Sequence, residues 1–180
     1  MPMWLRRWEF GHRKGAVAQC RESLALRQGK TPLTVKLKLW LSFSGFPTKE
    51  SHMAYVYTAV RKLENQPKVD DFECVSLIRR FAKTPATFLW REGSSVMGDR
   101  TLAHGTAIAI FVKGKWPAKP HGNHAALYLG QVSDGMYIMD QWNRSDKEVI
   151  SSRFIYRLGK KKDGTFKRPS DNADAFSVIE

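Results

Sequence analysis

Only two cysteines, Cys20 and Cys74, occur in the 180-residue sequence. They cannot build the multi-bridge framework that staples small secreted domains, so the fold must rest on a core. With 42% of its residues apolar, the chain has the material for one. No run of about eighteen consecutive apolar residues occurs, which leaves no candidate spanning helix. Acidic residues are scarce: 17 Asp and Glu stand against 30 Lys and Arg, a net charge of +13. A field of that sign favours polyanionic partners, among them nucleic acid, acidic membrane surfaces and anionic cell-wall polymer, without choosing between them. The sequence has no internal repeats.

The first 52 residues lack a sustained apolar period. Basic residues such as Arg6, Arg13, Arg21, Lys30 and Lys36 are scattered among Trp4, Trp8 and Trp40. The best apolar stretch, LWLSFSGF at 39–46, lies far from the N-terminus and has no A-x-A-like cleavage site, so it makes a poor secretory signal. The reading is a basic extension over 1–52, poorly ordered or outside the domain, followed by one domain over 53–180. Translation starting at Met53 stands as an alternative to Met1, because MAYVYTAVRKLENQ opens an ordered pattern at once.

Downstream the pattern is helix first, then strands. Residues 54–64 read as a helix or an extended lead-in. Residues 70–83 read as a helix, with Asp70 and Glu73 spaced as a capping box. Val75, Leu77, Ile78, Phe81 and Ala82 form its apolar face, and Pro85 stops it. Residues 86–104 are a loop with a short helical piece. Strands follow at 105–114, 124–132, 136–142, 153–158 and 174–180, with turn chemistry at 133–135 and a hairpin-like turn at 162–167. One helix before an antiparallel run of strands indicates an α+β fold.

Cys74 falls in the first turn of the helix, where unpaired backbone N–H groups and the helix dipole favour an anion. Asp70, Asp71 and Glu73 oppose that effect. The bland alternative is a buried, inert cysteine. His124, opening the strand HAALYLGQV, supplies the base a cysteine nucleophile needs, and that base needs an orienting partner. Asp140 or Gln141, at the end of the next strand, can fill that role, and loop parity decides between them. A five-residue loop or a bulge centred on Val132 puts Asp140 directly opposite His124, with β carbons about 5 Å apart. A tight Asp134-Gly135 turn instead puts Asp140 on the other face and leaves Gln141 on that of His124, about 13 Å along the strand. His121 and His124 also spell H-x-x-H, but histidines three apart at a strand entry point to opposite faces. No metal or cofactor is therefore expected, and His121 reads as a residue of the cleft rim. His104 reads as a loop histidine. Trp116 and Pro117 precede the histidine loop and either wall a cleft or pack. The basic run Arg157, Lys160, Lys161, Lys162, Lys167 and Arg168 reads as a solvated hairpin face. No signature of sequence-specific nucleic-acid binding accompanies it.

The blocks ECVSLIRRF, GTAIAIF, HAALYLG and YIMDQW, in that order, resemble the CHAP domain (cysteine, histidine-dependent amidohydrolase/peptidase) among papain-like cell-wall hydrolases. HGNHAALYL, DQW and NADAFSVIE also resemble a small bacterial family of CHAP-like proteins, some similar to amidase effectors of type VI secretion. The resemblance covers about residues 54–180. It implies a papain-like, CHAP-type α+β fold, with an N-terminal catalytic helix packed on an antiparallel sheet. It implies Cys74 as nucleophile, His124 as base and Asp140 as orienter of a cysteine amidase or endopeptidase. The implied substrate is peptidoglycan and the implied partners are a cognate inhibitor (immunity) protein and a secretion apparatus. The implied life history is bacterial: synthesis in the cytoplasm, action in the periplasm or cell wall, export without a classical signal. Cysteine before histidine departs from the circularly permuted acyltransferase relatives. Glu73 stands where family members often carry Gln or Asn. No side-chain oxyanion donor is evident beyond the upstream Tyr55 and Tyr57.

Two other function classes fit the composition: a non-catalytic binding module on the same fold, and a basic nucleic-acid-binding protein. Every triad candidate lies downstream of Met53. A chain begun at Met53 is therefore expected to fold and keep full hydrolytic activity, as a melting curve and a peptidoglycan assay would read. A sharply lower melting temperature would contradict this.

Overall fold

The computed structural model describes residues 53–180, so the expectations for 1–52 lie outside the described residues. Seven strands form an antiparallel sheet: β1 (Gln66–Pro67), β2 (Glu92–Ser95), β3 (Ala107–Ile110), β4 (Ala125–Val132), β5 (Gly135–Asp140), β6 (Val149–Tyr156) and β7 (Phe176–Ile179). Their spatial order is β1-β6-β5-β4-β3-β7-β2. Among the described residues there is one α-helix, α1 (Cys74–Ala82), which precedes all but β1. The architecture is α+β. Among the described residues no helix is long and apolar enough to cross a membrane.

The central strands read as continuous apolar runs because both faces of the sheet are covered. All four residues of β3 are buried. On one face, Ala107, Ala109, Ala125 and Leu127 join Leu77 and Ile78 of α1 in a core completed by Trp90 and Ile150. The three alanines leave room for the helix to lie close. On the other face, Ile108, Ile110, Ala126, Met136, Ile138 and Ile155 pack against Val96, Ala173, Ala175 and Phe176.

The helix is shorter than its sequence pattern. Glu73, not Asp70, is the N-cap, and no side chain caps it. The capping box fails because Asp70 (φ 52°) and Phe72 (φ 66°) take left-handed conformations. Asp70 instead pairs with Arg80 at 2.9 Å, and Asp71 Oδ1 accepts the Glu73 N–H. Cys74 thereby becomes the first helical residue. The lead-in at 54–64 is extended, bridged at Val56 to Thr106, and ends in a 3₁₀ turn at Val60–Leu63. The loop after the helix carries the expected short helical piece at Thr87–Leu89, but also β2, whose Glu-Gly-Ser-Ser sequence shows no apolar alternation. β6 begins at Val149, four residues before the expected strand, and a Lys160–Phe166 bridge closes the hairpin-like turn expected at 162–167.

The β4–β5 hairpin combines two features that the sequence offered as alternatives. Val132 pairs with Gly135, so Ser133 and Asp134 make a tight turn, one residue earlier than Asp134-Gly135. A bulge then intervenes: Tyr128 pairs with Ile138 but Gly130 with Tyr137, leaving Leu129 as the extra residue. Gly130 takes φ 146° there, a conformation that suits glycine.

Gly105 fixes the entry to β3. Its φ is 86°, its N–H donates to the Tyr128 carbonyl at 2.6 Å and its carbonyl accepts from Tyr57 at 2.9 Å. A Cβ there would run into the Tyr57 carbonyl oxygen. Gly105→Ala is expected to destabilise the fold by about 2–4 kcal/mol in denaturant titration, through strain and displaced backbone. A change under about 0.5 kcal/mol would contradict that placement.

Candidate active site

Three elements converge at the end of the sheet where β4 begins and β5 ends. Helix α1 brings Cys74 as its first residue, buried but lining a cleft of about 530 Å³. His124 stands immediately before β4, 5% exposed, and lines the same cleft. Asp140 is the last residue of β5 and is fully buried. His124 Nε2 and Asp140 Oδ2 are 2.8 Å apart. That bond leaves Nδ1 as the ring nitrogen available to Cys74, which lines the same cleft and helps to raise the imidazole pKa. Trp142 and Phe176 hold the imidazole edge-on, at centroid distances of 6.2 and 6.4 Å.

Register explains the pairing. Leu127 pairs with Met139, so Asp140 falls opposite Ala126, two residues along from His124 on the same face. The expected directly opposite pairing is thus displaced by one diagonal step, which an aspartate and a histidine still span. The bulge produces this result. The tight turn alone would send the two side chains to opposite faces. Gln141 does not reach His124. Its amide accepts from Val69 N–H (3.0 Å) and donates to the carbonyls of Val69 (3.1 Å) and Glu73 (2.9 Å).

Asp140 is the centre of a buried ion cluster that sequence reasoning missed. Lys147 Nζ donates to its Oδ1 at 3.0 Å and Arg153 Nε to its Oδ2 at 2.8 Å. Lys147 is itself buried and also bonds Ser151 Oγ at 2.7 Å. Arg153 continues to Asp171 at 2.8 Å, and both cations lie over the Trp142 ring, at 4.6 and 5.3 Å. Arg153 was within reach of the sequence. It sits opposite Ile138, on the Asp140 face, and strand alternation together with the β5–β6 register puts it there. Lys147, in the irregular NRSDKE segment, gave no periodic signal.

The cluster sets the charges. Burial opposes ionisation of Asp140, but the hydrogen bond and charge of His124, with Arg153 and Lys147, hold its carboxyl well below the usual range. Burial likewise opposes a charge on His124. The hydrogen bond to Asp140, the Cys74 contact and the Asp140 charge outweigh it, and raise the imidazole from 6.5 to about 9. Removing one partner of such a buried pair costs about 3–5 kcal/mol, because the other charges stay buried and uncompensated.

Other sequence candidates fall elsewhere. His121 lines the cleft with Pro120, Gly122 and Asn123. His104 lies near Gly130, outside the cleft. Trp116 does not wall the cleft. It packs edge-on to the buried Trp90 at 5.3 Å, while Trp142 takes the wall position. Tyr55 and Tyr57 pack against the helix-side core, away from the cleft. In the basic hairpin, Arg157 and Arg168 pair with Asp174 and Asp171. Among the described residues no group of three or more His, Cys, Asp or Glu side chains is arranged to hold a metal ion.

Comparison with known proteins agrees on one family. The family model described as domesticated amidase effector 2 matches residues 51–179. A type VI secretion amidase effector 2 protein of Salmonella typhi is 38% identical over 133 residues, covering 71% of this chain and all of that protein. Domesticated amidase effector 2 of Ixodes scapularis is 31% identical over 116 residues, covering 62% of this chain and 73% of that one. A solved structure of type 6 secretion amidase effector 2 superposes with a TM-score of 0.66 at 37% identity, covering 70% of this chain and 94% of that one. The chain therefore belongs to the domesticated amidase effector 2 family.

Proposed function

We propose that this chain is a cysteine amidase that hydrolyses amide bonds of bacterial peptidoglycan through a thioester on Cys74. The observation that carries the proposal is the Cys74–His124–Asp140 arrangement: a thiol at a helix start, on an open cleft, beside an imidazole whose far nitrogen is fixed by a buried carboxylate. The papain-like assignment rests on that same arrangement.

In this mechanism the Cys74 thiolate attacks the amide carbonyl carbon while His124 holds the proton. The developing oxyanion faces the first N–H groups of α1, which have no preceding helical turn to bond. Collapse of the adduct breaks the C–N bond as His124 gives its proton to the leaving amine, and a thioester remains. The neutral imidazole then takes a proton from water, and the resulting hydroxide attacks the thioester carbonyl. The carboxylic acid leaves and the thiolate–imidazolium pair is restored. Asp140 fixes the tautomer and ring orientation and stabilises the imidazolium. The relatives' names supply the words amidase and type VI secretion. Carried to this chain, they make it an exported effector that acts on the cell wall. Its producing cell would need a cognate inhibitor protein.

Two outcomes test this reading. Incubation of purified peptidoglycan with wild type, followed by mass analysis of the fragments, should show new amine and carboxylate ends. Cys74→Ala should yield none while keeping its fold, and Cys20→Ala should match wild type. Equal products from Cys74→Ala would sink the mechanism.

The second outcome is a pH profile. The protonated imidazole that the leaving amine needs persists at neutral pH and is lost above about 9. kcat/KM should therefore fall on the alkaline side with a midpoint near 9. The sign for stability is the same. A raised histidine contributes fully below its ordinary value of 6.5, and the contribution is lost as pH rises through about 9. Asp140→Asn should move the alkaline limb towards 6.5 and lower kcat by about 10²–10⁴-fold. A wild-type limb already at 6.5 would contradict the pairing.

A further inference from the structure

We propose that Gln141 is a positioning residue for the Cys74 reaction: its side chain sets the distance and angle between the helix start that carries the thiol and the strand end that holds His124. The inference rests on the cysteine mechanism proposed above.

Gln141 is fully buried, and its side-chain amide spends itself on the segment leading into α1. Its oxygen accepts from Val69 N–H, and its nitrogen donates to the Val69 and Glu73 carbonyls. Glu73 is the N-cap, one bond before the nucleophile. The segment's other hydrogen bonds are local: Asp70 pairs with Arg80 of the helix, Asp71 Oδ1 accepts the Glu73 N–H, and the Phe72 N–H donates to the Val69 carbonyl. None of them reaches the sheet, and the Glu73 side chain does not cap the helix. Outside the buried amide, Lys68 Nζ reaches the carbonyls of Trp142 and Arg144, at 3.3 and 3.4 Å, from a more exposed position.

Successive residues of an extended chain point to opposite faces. Asp140 therefore reaches the face of His124 and Gln141 the face of the helix. Neighbouring residues, joined by one peptide bond, thus grip the two halves of the proposed catalytic pair. The peptide between them is short and its side chains are locked by burial, so the two halves cannot drift independently. Without the amide, the helix start loses three hydrogen bonds to the sheet, while Asp140 keeps its hold on the imidazole.

The test uses the full chain in a Cys20→Ala background, as parent, Cys74→Ala, Gln141→Met and Gln141→Asn. Methionine fills about the same volume without hydrogen bonds. Asparagine keeps the amide but stops one methylene short. Turnover of solubilised peptidoglycan fragments is resolved into kcat and KM, alkylation of Cys74 by iodoacetamide is timed at pH 7, and folding is followed by melting. Both Gln141 variants should lose about 10- to 100-fold in kcat with KM within about threefold, since a misplaced reacting atom is costly. Alkylation should slow at least severalfold, and the alkaline limb should stay where Asp140 sets it. A folded variant that keeps both kcat and the alkylation rate, whatever its melting temperature, makes the amide merely structural and overturns the inference. A raised KM with unchanged kcat does the same. If Gln141→Met fails to fold, Gln141→Asn decides, and failure of both to fold counts against the inference. Wild-type turnover by Cys74→Ala would overturn the cysteine mechanism itself. An inert Cys74→Ala beside fully active Gln141 variants would overturn only the role of Gln141.

Discussion

The architecture of this site depends on one buried carboxylate. Asp140 lies at a strand end with no solvent to share its charge, and three cationic or cation-forming side chains surround it. An isolated carboxylate there would protonate. Lys147 and Arg153 keep it ionised, and the ionised form can then hold a proton on His124. Each member also fixes a piece of backbone. Lys147 ties the 141–148 loop to β6 through Ser151, and Arg153 ties β6 to the 169–171 turn through Asp171. Electrostatics and scaffold are therefore the same set of bonds.

A consequence concerns the balance of charge. With two fixed cations on Asp140 and a second carboxylate on Arg153, the pocket around the imidazole is close to neutral before His124 takes its proton. The charge that appears on the ring is compensated by preorganised partners. Water need not reorganise for it, which is how a buried polar cluster stabilises a transient ion.

Much of this was legible in the sequence because it follows from local chemistry. Cys74, His124 and Asp140 stood out by residue type and by their places at element boundaries. The helix face, the five strands from β3 to β7 and the turn at 162–167 followed from period and turn residues. What stayed hidden depended on long-range geometry. The left-handed Asp70 and Phe72 displaced the N-cap by three residues, and no local preference announces such a pair. Lys147 occupies a loop whose composition reads as solvated. Its burial follows only once Asp140 is in place. Gln141 was legible as a polar residue at the right strand end, but its partners come from a segment about seventy positions earlier. Trp116 took the packing role, one of the two its context left open, and Trp142 walls the cleft; a tryptophan's apolar body suits either place.

The extra residue at Leu129 has a meaning for how this family can change over time. A hairpin of alternating side chains tolerates insertions or deletions in pairs, because an even change returns every side chain to its own face. A single-codon deletion near Leu129 would trade no chemical group of the cleft and would lie about 17 Å from His124, five strand residues away. Yet it would turn the histidine and its carboxylate to opposite sides of the sheet. Length variation in this hairpin is thus quantised by parity. A lineage that shortens it by one residue must restore that residue between the turn and the cleft, or lose the His124–Asp140 contact without having altered either residue.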